Sequence, residues 1–372
     1  MTNNRTRVKG ERVRLAVIGL GAMGQEHCAT LHKVPEMQLA AVCDGYEPNA
    51  TKVGALHSVP SFTDHRPLIR SRLCDAVLIA TPHPVHYSVA LDVLRAGIPL
   101  LCEKPLTERL STAERLVQTA HRKDVPFAIM FQRRLEPAFA KAIAWVDSGA
   151  LGTIRRTTLI CPEFRTQAYY NSGSWRGTWA GEGGGVMINQ APHYLDLLLR
   201  LGGMPCEVYG RCETRLHKIE VEDVAEAMLR YQNGCSGYLS CSTNEPGPGH
   251  LLELVGDMGK LFIRDGVLRL FRFSEPVPEF TFRSPVVWSQ PGCVEEKVEL
   301  PTQDWGHFLI VQNFARHLLH GEPLVAPAGE GLKSLELAHA IWLSAQLGKA
   351  VRLPINRRAY DSFLAKKRKI TT

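Results

Sequence analysis

The stretch from Arg14 to Asp44, RLAVIGLGAMGQEHCATLHKVPEMQLAAVCD, constrains this chain more than any other. Leu15-Ala16-Val17-Ile18 is a short apolar run of the kind that forms a buried parallel strand. It feeds directly into Gly19-Leu20-Gly21-Ala22-Met23-Gly24, a complete G-x-G-x-x-G. A helix-compatible segment follows to about His32, and a second apolar run, Leu39 to Cys43, ends at Asp44. Each glycine has a task in this order. Gly19 permits the tight turn, Gly21 admits a pyrophosphate to the backbone, and Gly24 lets helix and strand pack closely. The helix N-terminus, with Ala22 and Met23 in its first turn, offers N–H groups and partial positive charge to the phosphates. Asp44 stands where an acid can bind the adenine ribose hydroxyls, and its charge would repel a 2′-phosphate. No arginine occurs in Gly45-Tyr46-Glu47, so NAD is expected in preference to NADP. The plainer alternative is a glycine turn with Asp44 as a solvated loop acid.

The rhythm around this stretch predicts the fold class. Apolar runs at 14–19, 38–44, 75–80, 98–102 and 126–131 alternate with helical segments near 22–33, 47–57, 84–96 and 107–123. This βαβα alternation implies a doubly wound parallel sheet, a Rossmann arrangement, with ligands at the carboxyl ends of the strands. That edge carries Thr81-Pro82-His83, Glu103-Lys104-Pro105 and Gln132-Arg133. Beyond about residue 150 the pattern changes to strands near 153–164, 206–217, 223–232, 235–243, 250–256 and 260–264, joined by short turns. A helix from Val186 to Leu201 interrupts them, and two more close the chain near 304–320 and 329–347. The expectation is an α+β domain with a large, mainly antiparallel open sheet. The expected divisions are a disordered basic tail at 1–12, a dinucleotide domain at 13–131, a substrate and oligomerisation domain at 132–354, and a second basic tail at 355–372.

The net charge of +7 is concentrated at the ends: residues 1–14 contribute +4 and residues 357–372 contribute +5, leaving −2 for the rest. Solvated, mobile tails are the expectation, and a nucleic-acid surface is not, because the charge is off the folded body. None of the ten cysteines forms a C-x-x-C, so neither disulfides nor a metal are expected, and a reduced, cytoplasmic setting is. The basic N-terminus runs straight into the first strand, unlike a signal peptide, and no apolar run is long enough to span a bilayer.

Three stretches could carry chemistry. Lys104 follows an apolar strand on the ligand edge, where it could hydrogen-bond a substrate hydroxyl and stabilise developing negative charge; otherwise it is a strand-end lysine in solvent. Asn189, His193 and Asp196 lie four and three apart, so one helix face could present all three. His193 could accept an alcohol proton, Asn189 could orient the substrate, and Asp196 could set the imidazole tautomer; the alternative is a satisfied core histidine. Tyr169 to Trp179, YYNSGSWRGTW, mixes rings, amide, hydroxyls and an arginine, which suits a polyhydroxylated ligand. Its alternative is an exposed loop anchored by tryptophans. His83 and His86, near Pro82, are either cofactor-adjacent or helix-cap residues.

With these pieces in place, residues 13–350 resemble the glucose–fructose oxidoreductase/inositol dehydrogenase/rhizopine catabolism (Gfo/Idh/MocA) family. The resemblance rests on Gly19-x-Gly21-x-x-Gly24, Ala80-Thr81-Pro82 with His86, Glu103-Lys104-Pro105, and Gly184-Gly185 leading to His193 and Asp196. It implies a nicotinamide cofactor, a sugar or cyclitol substrate, and a dimer or tetramer formed through the open sheet. It also implies catalytic positions for Lys104 and His193, with Asn189 beside them. Many members have aspartate where this chain has Asn189, and asparagine cannot exchange protons. The string Trp175-Arg176-Gly177-Thr178-Trp179 … Asn189-Gln190-Ala191-Pro192-His193 looks like a branch that oxidises pyranosides, including anhydrosugars and glycosides. The cofactor contacts expected are Gly19, Gly21, Ala22, Met23, Gly24, Asp44, Thr81, Pro82, His86, Glu103, Lys104, Gln132, Trp175 and Arg176. The substrate contacts are Lys104, Arg133, Tyr169, Trp179, Asn189 and His193. The function implied is NAD-dependent oxidation of a secondary ring hydroxyl. Its rivals are a redox-neutral, NAD-retaining glycosidase and a non-catalytic NAD-binding sensor.

Overall fold

A computed structural model of the chain describes residues 10–370. It divides into two compact units: one of residues up to Gln132 together with 305–335, the other of residues 133–304 together with 336 onward.

The first unit is built on six parallel strands, β1 (Val13–Ile18), β2 (Met37–Cys43), β3 (Ser61–Phe62), β4 (Ala76–Ile79), β5 (Leu100–Cys102) and β6 (Phe127–Ile129). Their order is β3-β2-β1-β4-β5-β6. The central strands are buried on both faces, which is why Ala76-Val77-Leu78-Ile79 reads as unbroken apolar sequence. The chain turns from one half of the sheet to the other between β1 and β4, and ligands bind such sheets at the carboxyl ends beside that switch. The late segment 305–335 completes this unit. Its helix His307–His320 is tied to Glu36 by Arg316 at 2.8 Å, and Ile129 donates its N–H to Ala326 O at 3.0 Å.

The second unit carries β7 (Ile154–Pro162), β8 (Glu207–Glu213), β9 (Val224–Arg230), β10 (Ser236–Ser242), β11 (Leu251–Gly256), β12 (Gly259–Arg264), β13 (Val267–Phe273), β14 (Cys293–Glu296) and β15 (Val351–Arg352). They form one sheet in the order β14-β13-β12-β11-β7-β10-β9-β8-β15. All neighbours are antiparallel except β7 and β10. One face is filled by helix Pro192–Gly202, whose leucines at 195, 197, 198, 199 and 201 are buried. On β8 and β9 the cross-strand partners Tyr209 and Met228 are instead exposed.

Two expectations need correction. The span Val186–Leu201 is two helices, Val186–Asn189 and Pro192–Gly202. Pro192 explains the break, since it lacks an N–H and its ring clashes with the carbonyl four residues back. The C-terminal residues are not a solvated tail either: Arg357–Ile370 is a helix that buries Tyr360 and Leu364. Tyr360, Phe363, Leu364 and Lys367 recur at helical spacing, and the Tyr360 ring stacks on His339. Residues 1–9, most of the predicted N-terminal tail, lie outside the described residues.

Candidate active site and relatives

In the first unit the glycines divide the labour as their spacing suggests. Gly19 has φ +93°, and a Cβ there would fall 2.6 Å from the Ala80 carbonyl carbon, so the chain leaving β1 presses against the chain leaving its parallel neighbour β4. A Cβ on Gly24 would fall 1.8 Å from Gly19 O. Gly21, by contrast, has nothing within 4 Å of such an atom. Two glycines are therefore needed by the loop, and the third only by what approaches it. Gly21→Ala is expected to leave thermal stability nearly unchanged while weakening NAD binding at least about tenfold, as a methyl intrudes on the phosphates. Gly24→Ala is expected to lower both. Paired melting curves and NAD titrations separate the two outcomes.

Asp44 accepts from Leu20 N at 2.6 Å and from Tyr46 N at 2.8 Å, so its carboxylate braces the glycine loop while standing at the end of β2. A cleft of about 370 Å³ runs past Gly19, Asp44, Thr63, Thr81, Pro82 and Val85. Thr81 Oγ1 and Gln132 Oε1 are buried with no hydrogen-bond partner among the described residues. An open glycine backbone, an acid at the ribose position and orphaned polar atoms on the strand-end edge fit a dinucleotide.

Glu103 and His86 both hold loops together at the strand-end edge. His27, one turn into the helix Ala22–Thr30, donates Nε2 to Glu103 Oε1 at 2.8 Å, and Lys104 N donates to Glu103 Oε2 at 3.2 Å. Burial opposes ionisation of Glu103, but the His27 hydrogen bond, aided by charge at His27, Lys104 and His307, holds its carboxyl down at about 2. Lys104 thus stands next to a fixed negative charge. His86 places Nδ1 2.8 Å from Pro105 O and Nε2 2.7 Å from Thr81 O, clamping the two strand-end loops. Burial pushes its pKa down against those two carbonyls, and a neutral ring can donate to only one of them.

The second unit assembles Tyr169, Arg176 and Asn189 into one network. The Tyr169 hydroxyl accepts from Arg176 at 2.5 Å and from Asn189 Nδ2 at 3.0 Å. Asn189 Nδ2 also donates to Glu182 Oε1, and Glu182 Oε2 accepts from Gly177 N at 2.8 Å. The Arg176 guanidinium lies 4.3 Å from the Tyr169 ring centre and 4.5 Å from that of Trp175. Glu182 is buried and was not singled out from sequence, although it stands immediately before Gly183-Gly184-Gly185.

Trp179 belongs elsewhere. Its indole packs edge-on against Trp342 and Phe363 and donates Nε1 to Glu220 O, so it supports the C-terminal helix rather than this network. Asp196 is also engaged differently from the expectation of a partner for His193. Arg134 grips it with two bonds, Nε to Oδ2 at 2.8 Å and a terminal nitrogen to Oδ1 at 2.5 Å. Arg133 instead pairs with Glu136 at 2.9 Å and lies over the Tyr194 ring.

Beneath the short helix Val186–Asn189, Glu222 accepts from Gly185 N at 3.0 Å and Met187 N at 3.3 Å. Burial raises its carboxyl from 4.5 to about 8 in spite of those bonds. A carboxyl with a raised folded-state pKa binds its proton more tightly folded than unfolded, so stability falls as pH rises from about 4.5 to about 8. Glu222→Gln is expected to flatten that part of the pH–stability curve, measured by denaturant unfolding across the range.

Two models of one family match the chain, an oxidoreductase family with an NAD-binding Rossmann fold over residues 13–131 and the same family's C-terminal domain over residues 139–262. Inositol 2-dehydrogenase of Rubrobacter xylanophilus is 37% identical over 146 residues, which is 38% of this chain and 42% of that protein. scyllo-Inositol 2-dehydrogenase (NAD(+)) of Bacillus subtilis is 24% identical over 367 residues, 94% of this chain and 98% of that protein. Among solved structures, the WlbA dehydrogenase of Bordetella pertussis, in complex with NADH and UDP-GlcNAcA, superposes with a TM-score of 0.79 at 25% identity, covering 93% of this chain and 100% of that one. With both family domains matched and the glycine loop built as such domains require, the chain belongs to the Gfo/Idh/MocA family of NAD-binding oxidoreductases.

Proposed function

We propose that the protein oxidises a secondary hydroxyl of a sugar, glycoside, anhydrosugar or cyclitol, with NAD as the hydride acceptor. The observation that carries this reading is the half-buried network in which Glu182 fixes Asn189, and Asn189, Gln190 and Arg176 converge on the Tyr169 hydroxyl. Such a set of rigid donors and acceptors, with the Trp175 and Tyr169 rings beside it, suits a ligand that is mostly hydroxyl groups. The names of the inositol dehydrogenases agree with that class. When bound, NAD supplies the hydride-accepting carbon. His193 takes the hydroxyl proton, and Lys104 donates a hydrogen bond to the same oxygen as negative charge develops. Asn189 positions the substrate without exchanging protons. Arg133 is a further substrate contact in this reading. The exposed Tyr209–Met228 stripe on the open sheet supports a homodimer or homotetramer, which light scattering would size.

The test is NADH formation over a panel of pyranosides, anhydrosugars and inositols with NAD and, separately, NADP. A signal with one sugar class and NAD supports the proposal. NADP preference would overturn the reading of Asp44. Cleavage of an aryl glycoside by protein that carries tightly held NAD, without net NADH formation, would replace the dehydrogenase with a glycosidase.

A further inference from the structure

The spacing of the ten cysteines in the sequence gives no hint of a metal, yet pairing of β11 with β7 creates a set of donors. Leu251 lies opposite Ile160 in antiparallel register, which puts His250 opposite Cys161. Opposite residues point to the same face of a sheet, and Glu163, two residues beyond Cys161, continues that face. The donor atoms of Cys161, Glu163 and His250 all lie within 4.8 Å of one another, with His250 Nε2 already 3.2 Å from Glu163 Oε1. Cys161 is buried, and burial together with its hydrogen-bonded neighbour Cys241 holds the thiol protonated in the absence of a metal. The Tyr194 ring stacks on the His250 imidazole at 4.7 Å and fixes its orientation. A pocket of about 330 Å³ reaches the cluster at His250, which lines it together with Tyr194.

We propose that Cys161, Glu163 and His250 form a three-ligand site for a divalent cation of zinc type. One thiolate, one imidazole and one carboxylate are a mixed soft and borderline set that favours Zn²⁺ over Mg²⁺ or Ca²⁺. Bonds of about 2.0–2.3 Å require the most distant donors to draw in by about 1 Å. On binding, the Cys161 S–H bond breaks and an S–metal bond forms, and the proton passes to solvent. A water completes the tetrahedron. The Arg133 and Arg165 guanidiniums also attract the Glu163 carboxylate, so the site binds more weakly than a four-cysteine structural centre. The three ligands are separate from the residues given catalytic or substrate-binding roles above.

The experiment titrates the full-length protein, freed of metals, with Co²⁺ and then Zn²⁺. The expected result is a thiolate-to-cobalt charge-transfer band that zinc abolishes, with a rise in melting temperature on zinc addition. Cys161→Ser should remove the band, and His250→Ala should weaken binding at least about tenfold. Cys293→Ser, at an exposed cysteine, should leave the band intact. Absence of a band in the native protein, or its survival in Cys161→Ser, overturns the site. Should Cys161→Ser fail to fold, X-ray absorption of the zinc-loaded native protein decides: one sulfur in the shell supports the site, and a shell of nitrogen and oxygen alone overturns it.

Discussion

Replacing Lys104 with methionine is expected to lower turnover by on the order of 10²-fold or more, with NAD affinity and melting temperature close to those of the native enzyme. Methionine keeps the stem of the side chain and removes only its charge and its hydrogen-bond donors. Two contacts that shape the loop survive, because His27 and the backbone N–H of residue 104 bond to Glu103 whatever the side chain at 104. The loss should therefore appear in kcat rather than in cofactor binding, the sign of an interaction realised mainly in the transition state. His193→Ala is expected to fall by a similar factor, with partial recovery as pH rises and solvent hydroxide replaces the missing base. Undiminished turnover in both variants would remove Lys104 and His193 from the chemistry altogether.

The largest stability effect is expected at Arg134. The Arg134–Asp196 pair is almost wholly buried, with side-chain exposures of 5% and 3%. Arg134→Met strands a carboxylate inside the second unit, and breaking a buried pair in this way costs about 3–5 kcal/mol. The double variant Arg134→Met/Asp196→Leu should recover most of that loss, since an apolar pair of similar volume costs little. Denaturant unfolding of both variants measures the difference. A single variant within about 1 kcal/mol of native, well below the cost expected for a buried pair, would show that the carboxylate finds another partner or takes up a proton.

The sheet of the first unit was legible from sequence because its signals are local, whereas the late segment 305–335 that completes the unit was expected in the second domain. The strand, glycines, helix and acid of 14–44 are read within one window, and the structure gives Gly19 and Gly24 the close approaches that their spacing implies. The second unit was legible as a run of alternating strands, but not where distant residues meet. Asp196 is three residues from His193 in the chain, yet its carboxylate goes to Arg134, and nothing in helical spacing reveals a partner 62 residues away. The strand-pair register that brings His250 to Cys161 was equally hidden. Composition likewise cannot reveal that the Trp179 ring packs on Trp342 and Phe363. The C-terminal helix is masked by its own charge: lysines and arginines outnumber Tyr360 and Leu364, which recur on its buried side.

The cofactor-binding unit is not a continuous stretch of chain, and this has a consequence for the order in which the protein can be made. Strand β6 at its edge is joined by the isolated bridge from Ala128 to Pro327, and Gly331 sits so close to Ile129 and Leu106 that a methyl there would fall 2.7 Å from the isoleucine. A ribosome releases these partners only after almost all of the intervening unit has emerged. During synthesis at about 5–20 residues per second, the nascent dinucleotide domain must therefore wait with one flank uncovered while residues 133–304, and then the chain as far as Pro327 and Gly331, are added. Molecular chaperones that shield apolar surface would meet this chain at that stage, and a gene fragment ending near residue 132 would leave the flank bare for good.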